Sequence, residues 1–297
     1  MDDLSKPRLF STANTYEVVE EIATWIKGKT TIRPKIGIIC GTGLDTFPSE
    51  ISDRVEMEYS DVPHFPKPTI VGHPGRLVFG RLEGIEIVCF TGKVFFFEGY
   101  DSFQCTVAVR VMKLLGISYL ILSNAAGSVD ETMRPGDIMM MKDHINLVGL
   151  VGLGPLIGPS PQVDRWGDRY VCLSQVYDQG LKNLAEEAAV EVGLQDLKEG
   201  VYLMTGGPNF ETVAEARMIR MLGANVVGMS TVADAIVAVQ AGMKVFSFSI
   251  ISNMCCLHYN SDLNIDHIEN IAIGHHKAPL IAKWMRKFVT KIVNQPA

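Results

Sequence analysis

The chain has 297 residues, 47% of them hydrophobic, and a formal net charge of −6. That length suits one large α/β domain or two small ones; with no repeat, low-complexity tract or long linker visible, a single domain over 1–297 is expected. An acidic balance without a basic run argues against nucleic acid or an acidic membrane surface as partner. No apolar stretch reaches transmembrane length, and the segment MDDLSKPRLF has no signal-peptide core, so no membrane association is expected. The six cysteines show no CxxC spacing and several sit in apolar runs. Buried free thiols in a reducing compartment are expected, and with them a cytoplasmic location.

Apolar runs that end in small or polar turn residues recur along the chain. Residues 35–40 (KIGIIC) end at Gly41-Thr42-Gly43, 85–90 at Thr91-Gly92, and 119–123 at Asn124-Ala125-Ala126-Gly127. Residues 201–204 end at Thr205-Gly206-Gly207-Pro208, 226–227 at Gly228-Met229-Ser230-Thr231, and 245–251 at Ser252-Asn253. Continuous runs of this kind are the pattern of strands buried on both faces. Between them, helical periodicity is expected over 102–115, 174–192, 212–222 and 231–241, each followed by glycine or stopping at one. A long helix is expected over 266–293, bent near Gly274. Strand, glycine-rich turn and helix in repetition predict an α/β fold. Residues 149–168 are rich in Gly and Pro and unperiodic, which predicts an exposed functional or subunit-contacting loop.

The stretch TGGPNFETVAEAR (205–217) is the densest in chemical meaning. A strand that hands over to a helix places its loop at the carboxyl edge of a sheet, where ligands bind in open α/β folds. Glycines allow close backbone approach, and an aromatic ring (Phe210) beside a carboxylate (Glu211) suits a flat polar heterocycle such as a nucleobase. The same residues also fit a helix cap, with Asn209 at the N-cap and Glu211 in the first turn. Gly41-Thr42-Gly43 likewise has two readings. A dinucleotide fingerprint is one, although Thr46 occupies the third glycine position; an anion loop of hydroxyl and backbone N–H groups is the other. Asn124 to Gly127 and Ser230 offer similar groups at other strand ends. Three such loops converging on one tetrahedral anion would draw on Arg76, His73 and Lys93 as candidate cations.

Segments between Gly37 and His267 resemble the low-molecular-mass, homotrimeric purine nucleoside phosphorylases. They are GIICGTGL, HFPKPTIVGHPGRLVFG, GKVFFFEGY, SNAAG, MKDHINLVG, GGPNFETVAEAR, VVGMSTVADA and the Ser252-Asn253 strand end. The resemblance implies a mixed, partly barrel-closed sheet flanked by helices. It also implies phosphorolysis of inosine- and guanosine-type nucleosides to free base and ribose 1-phosphate, in purine salvage. By similarity Asn253 and Glu211 meet a 6-oxopurine, Phe210 packs on its ring, Tyr202 lines the sugar side, Met229 lies under the ribose and His267 meets the 5′-hydroxyl. Thr42, His73, Lys93, Asn124, Ala125 and Ser230 would hold phosphate, and Phe95 occupies a further phosphate-side position. Tyr170 matches an aromatic residue that closes the neighbouring subunit's site. Phosphate is a co-substrate, and no metal, nicotinamide or other cofactor is implied.

The chain departs from that pattern in GKVFFFEGY. Lys93 stands where the family has arginine, Phe95 where it has histidine, and Phe97 where it has a tyrosine that reaches a ribose hydroxyl. Lysine is a point charge rather than a two-pronged donor, and phenylalanine offers no hydrogen bond. Thr42 replaces a serine, Met254 a common lysine, and Ala233-Asp234 the usual Pro-Glu. Weaker phosphate and sugar recognition is expected, slowing phosphorolysis by roughly two to four orders of magnitude, with selectivity broadened toward cytidine and adenosine. Two other readings compete. A methylthioadenosine phosphorylase would need an aspartate at the end of the 245–253 strand, where Asn253 stands. A nucleoside-binding paralogue would retain the base contacts without turnover. Residues 255–266 are expected to form a lid over the base.

Overall fold

The computed structural model describes residues 15–158, 163–261 and 265–294. Its strands are β1 (Ile36–Cys40), β2 (Ser52–Glu58), β3 (Arg76–Leu82), β4 (Ile85–Thr91), β5 (Tyr119–Ser128), β6 (Ile138–Asn146), β7 (Lys198–Met204), β8 (Val226–Gly228) and β9 (Lys244–Met254). Its helices are α1 (Tyr16–Lys29), α2 (Ser102–Cys105), α3 (Val107–Leu115), α4 (Gln179–Glu191), α5 (Val213–Met221), α6 (Val232–Gln240) and α7 (His267–Val293).

The strands form one mixed sheet in the order β2-β3-β4-β1-β5-β8-β7-β6-β9, and β9 also pairs with β5. That second pairing closes β5, β8, β7, β6 and β9 into a ring, while β2, β3, β4 and β1 continue outward as an open sheet. The partly closed barrel expected from the resemblance is therefore present. β5 is the shared wall of the two halves: it runs parallel to β1 on one side and to β9 on the other.

Helices cover both faces. Val19, Ile22 and Ile26 of α1 pack with α3 and α6 in one apolar cluster. Leu181 and Ala185 of α4 pack with Trp284 and Phe288 of α7 in another. Burying aliphatic and aromatic side chains of this size contributes about 1.5–3 kcal/mol each.

The boundaries differ from expectation in ways that matter for the site. β5 does not end at Ser123 but runs through Asn124, Ala125, Ala126 and Gly127, and β9 runs through Ser252 and Asn253. Polar residues continue these strands because ring closure pairs Asn124 with Ser249 and Gly127 with Asn253. The helix expected over 102–115 breaks at Thr106, whose hydroxyl donates to the Ser102 carbonyl at 2.8 Å. The helix expected from 174 starts at Gln179, because Asp178 caps it by accepting from the Leu181 N–H at 2.8 Å. α7 continues through Gly274 and Pro279. Gly274 is a point of close packing: a Cβ there would lie 2.6 Å from the Cα of Gly43, in the turn after β1. This contact seats the first turns of α7, which carry His267, against the loop that carries Thr42.

In the 149–168 stretch, residues 159–162 lie outside the described residues. Leu150 and Val151 are exposed, and the Arg110 guanidinium, stacked on Phe103 and Trp166, donates to the Pro155 carbonyl at 2.9 Å. Of the expected lid, residues 262–264 lie outside the described residues. The preceding part is tied down by Arg217, whose Nε donates to the Leu257 carbonyl at 2.8 Å and whose guanidinium lies over the Tyr259 ring.

Candidate active site

One cavity of about 290 Å³ opens where β1, β5, β8 and β9 end, and the segments around residues 70–73, 93–97 and 208–211, with the first turn of α7, complete its walls. Its two ends differ in chemistry.

At the first end, the turn after β1 brings Thr42 to His73, with Thr42 Oγ1 and His73 Nε2 3.2 Å apart. The backbone N–H of Lys93 donates to His73 Nδ1 at 2.8 Å. That bond fixes the tautomer: Nδ1 accepts, so the neutral ring carries its proton on Nε2, toward Thr42 and the cavity. Burial, with the nearby His267 and Lys93, pushes the His73 pKa down to about 4. The Lys93 ammonium forms an ion pair with Asp234. Behind Ser230, the Asn124 amide donates to Thr231 Oγ1 at 2.9 Å, and the Ser230 and Thr231 hydroxyls lie 3.1 Å apart. Thr231 holds φ at 74°. A β-branched residue is rarely found there, and such backbone strain clusters at functional positions.

The low pKa of His73 predicts a specific acid response. Unfolded, the ring titrates near 6.5; folded, it stays neutral down to about 4. Between those values the unfolded state binds the extra proton, so stability falls as pH falls, by roughly 3 kcal/mol across the window. Chemical denaturation between pH 7 and 4 should show this slope in the parent protein and a shallower one in His73→Gln. The same neutrality predicts that His73 adds no titration near pH 6.5 to substrate binding.

At the second end, Asn253 lies inside β9. Its Oδ1 accepts from Ser252 Oγ at 2.9 Å and from Asn270 Nδ2 at 3.4 Å. The Nδ2 side donates to the Met254 carbonyl at 3.4 Å and, with two N–H groups, keeps donor capacity for a ligand in the cavity that Asn253 lines. Glu211 stands close by with Thr205 Oγ1 at 3.5 Å; burial raises its pKa, the state of a carboxylate short of donors. Phe210 closes the outer side.

Between the two ends, Met229 packs on the backbone of Gly207, where a Cβ would meet its sulfur at 2.4 Å. The Phe95 and Phe97 rings stack 4.9 Å apart, and the His73 ring meets the edge of Phe95 at 5.2 Å. His267 sits at the mouth with Nε2 3.5 Å from the Val71 carbonyl.

The cavity thus brings together Thr42, His73, Lys93, Phe95, Phe97, Asn124, Ala125, Phe210, Glu211, Met229, Ser230, Asn253 and His267. Two anticipated residues stand elsewhere. Tyr202 is fully buried behind the wall: a Cβ on Gly228 would lie 2.3 Å from its hydroxyl, which accepts the Ser230 N–H at 3.3 Å. Tyr170 is 94% exposed and does not line this chain's own cavity. Arg76 is also not a cavity cation; its Nε pairs with Glu58 at 2.8 Å on the outer edge of the sheet. Asn209 is not a helix cap, because Thr212 caps α5 in a reciprocal box with Glu215.

Sequence reasoning did not anticipate three supporting residues. Asp234 pairs with Lys93, and Asn270 orients Asn253. Glu98 accepts from the Phe95 N–H at 2.8 Å and the Thr69 N–H at 2.6 Å, joining the segments that carry Phe95 and His73. Glu98 left a local signal, a carboxylate three residues after Phe95; Asp234 stood out only as a departure from the family pattern, without a partner to explain it.

An anion-sized polar end, a wall of large apolar side chains and an amide–carboxylate pair in one cavity define a site for a flat heterocycle joined to something that meets an oxyanion. The chain belongs to the Phosphorylase superfamily, which it matches over residues 35–289. The purine nucleoside phosphorylase of Anopheles gambiae is 43% identical over 97% of this chain and 80% of its own length. Schistosoma mansoni purine nucleoside phosphorylase in complex with adenosine superposes with a TM-score of 0.90 at 38% identity, covering 94% of this chain and 98% of that one. Isoform 2 from the same organism, in complex with cytosine and ribose-1-phosphate, gives 0.89 at 38% identity over 95% and 99%. Within the superfamily, the chain falls among the purine nucleoside phosphorylases.

Proposed function

We propose that the protein cleaves purine nucleosides of the inosine and guanosine type with inorganic phosphate, releasing free base and ribose 1-phosphate for purine salvage. The observation that carries this reading is the convergence of Thr42, His73 and Lys93 at one end of a single cavity with Phe210, Glu211 and Asn253 at the other. The reaction breaks the N-glycosidic bond and joins C1′ to a phosphate oxygen. Its transition state gathers positive charge on the sugar and negative charge on the departing base. Asn253 Nδ2 donates to the imidazole side and exocyclic oxygen of the base, where that negative charge develops. Preorganised donors of this kind supply a large share of rate enhancement. Glu211 accepts from the base N1–H, which provides the donor its desolvated carboxylate lacks. The Nε2–H of neutral His73, the hydroxyls of Thr42 and Ser230, and the Lys93 ammonium face the phosphate, with Asn124 and Ala125 beside them. Met229 and His267 contact the ribose. No cofactor takes part.

The same reading places the protein in the cytoplasm as a homotrimer, in which the exposed Tyr170 reaches the neighbouring subunit's site. Phe95 and Phe97 leave the sugar and phosphate without two polar partners, and we propose that selectivity is correspondingly relaxed toward adenosine and cytidine. Similar Schistosoma mansoni proteins solved with adenosine and with cytosine plus ribose-1-phosphate support this extension. Incubation with inosine and phosphate should give hypoxanthine and ribose 1-phosphate in equal amounts, with cytidine and adenosine as competing substrates. Free ribose as the sugar product would contradict phosphorolysis, and an exclusive preference for inosine would contradict the relaxed selectivity.

A further inference from the structure

Asp234, in the first turn of α6, is 1% exposed yet lines the cavity beside Lys93, Ser230 and Thr231. One carboxylate oxygen forms the ion pair with Lys93. The other, Oδ1, has no hydrogen-bond partner among the described residues. A buried acceptor without a donor is costly and calls for a ligand that brings one.

The charges around it sharpen the point. The Lys93 ammonium is already matched by Asp234, and His73 is a neutral ring offering one N–H. This end of the cavity is therefore close to electroneutral, and part of its wall accepts hydrogen bonds. A tetrahedral dianion without a proton, such as sulfate, meets that carboxylate with nothing to donate and with like charge facing it. Hydrogen phosphate carries a P–O–H group that can donate to Oδ1, while its other oxygens meet Lys93, the His73 N–H and the hydroxyls.

We infer that Asp234 is a specificity-determining residue of the anion subsite, selecting a tetrahedral anion that bears a proton over one that does not. The inference rests on the phosphorolytic reading. Its physical basis is discrimination by an unfavourable contact with the wrong ligand.

The test measures phosphate and sulfate binding by calorimetry, and sulfate competition against phosphate during inosine cleavage, in the parent protein and in Asp234→Asn. The replacement keeps the shape, removes the charge and offers an N–H. Sulfate should bind the parent on the order of tenfold to hundredfold more weakly than phosphate, and Asp234→Asn should narrow that gap chiefly by tightening sulfate. Equal affinities in the parent, or an unchanged gap in the variant, would overturn the inference. The parent comparison stands alone if Asp234→Asn does not fold. Phosphate-dependent turnover with equally effective sulfate overturns this inference and leaves phosphorolysis intact. Absence of both anion binding and turnover removes the two together.

Discussion

Replacing Asn253 by alanine is expected to lower kcat/KM for inosine about a hundredfold to a thousandfold, the usual cost of one preorganised donor at developing charge. Ser252 and Asn270 occupy the side-chain oxygen, so in the proposed pose Nδ2 is the group left to meet the base without a search over rotamers. The loss should fall mainly on kcat, because the bond to the base strengthens as negative charge accumulates there. Asn270→Ala should move the same parameter in the same direction by less, since it removes only one of the two groups that fix the amide. Steady-state kinetics with inosine checks both. An Asn253→Ala protein with unaltered kcat would mean that base departure is assisted elsewhere.

Lys93→Met is expected to destabilise the fold by about 3–5 kcal/mol, because it leaves the Asp234 carboxylate buried without its cation. The side chains are 12% and 2% exposed, so solvent screens the pair little. Removing both partners, in Lys93→Met with Asp234→Leu, should recover much of the loss, since an apolar pair of similar size is tolerated where a lone charge is not. Phosphate binding should stay weak in the double variant, which separates the role of Lys93 in the fold from its role at the anion. Urea denaturation of the two single variants and the double variant measures the coupling; purely additive effects would show that the pair is not interacting.

What the sequence discloses follows from how each element is buried. β1, β4, β5 and β7 are readable because they contain uninterrupted apolar runs, and β9 because only the single serines Ser247 and Ser249 break its apolar stretch. β2 is not, because SDRVEME is a charged edge strand with only Met57 buried, the composition that protects sheet edges. β6 begins with a methionine run but turns exposed at Lys142 and Asp143, so no periodicity marks its second half. β5 and β9 outlast their apolar runs for a related reason. Asn124, Ser252 and Asn253 are polar because they face a cavity, and ring closure, a long-range property, keeps them in strands. The site chemistry is legible chiefly through the resemblance in motifs, and the first-end residues do converge. The Lys93–Asp234 pair is not legible. Both residues stand out only as separate departures from the family pattern, and nothing local to either announces the other. Tyr202 illustrates the opposite error: a residue in the right motif whose full burial puts it behind the wall.

The most direct test is base release from inosine and guanosine, with and without saturating phosphate, in the parent protein and in Lys93→Arg combined with Phe95→His. Release that requires phosphate, is slow in the parent and rises by roughly one to two orders of magnitude in the double replacement is the predicted result, since each change restores a polar contact to the anion. Nucleoside binding without phosphate-dependent release in either protein would contradict it and would make the chain a nucleoside-binding relative of the phosphorylases.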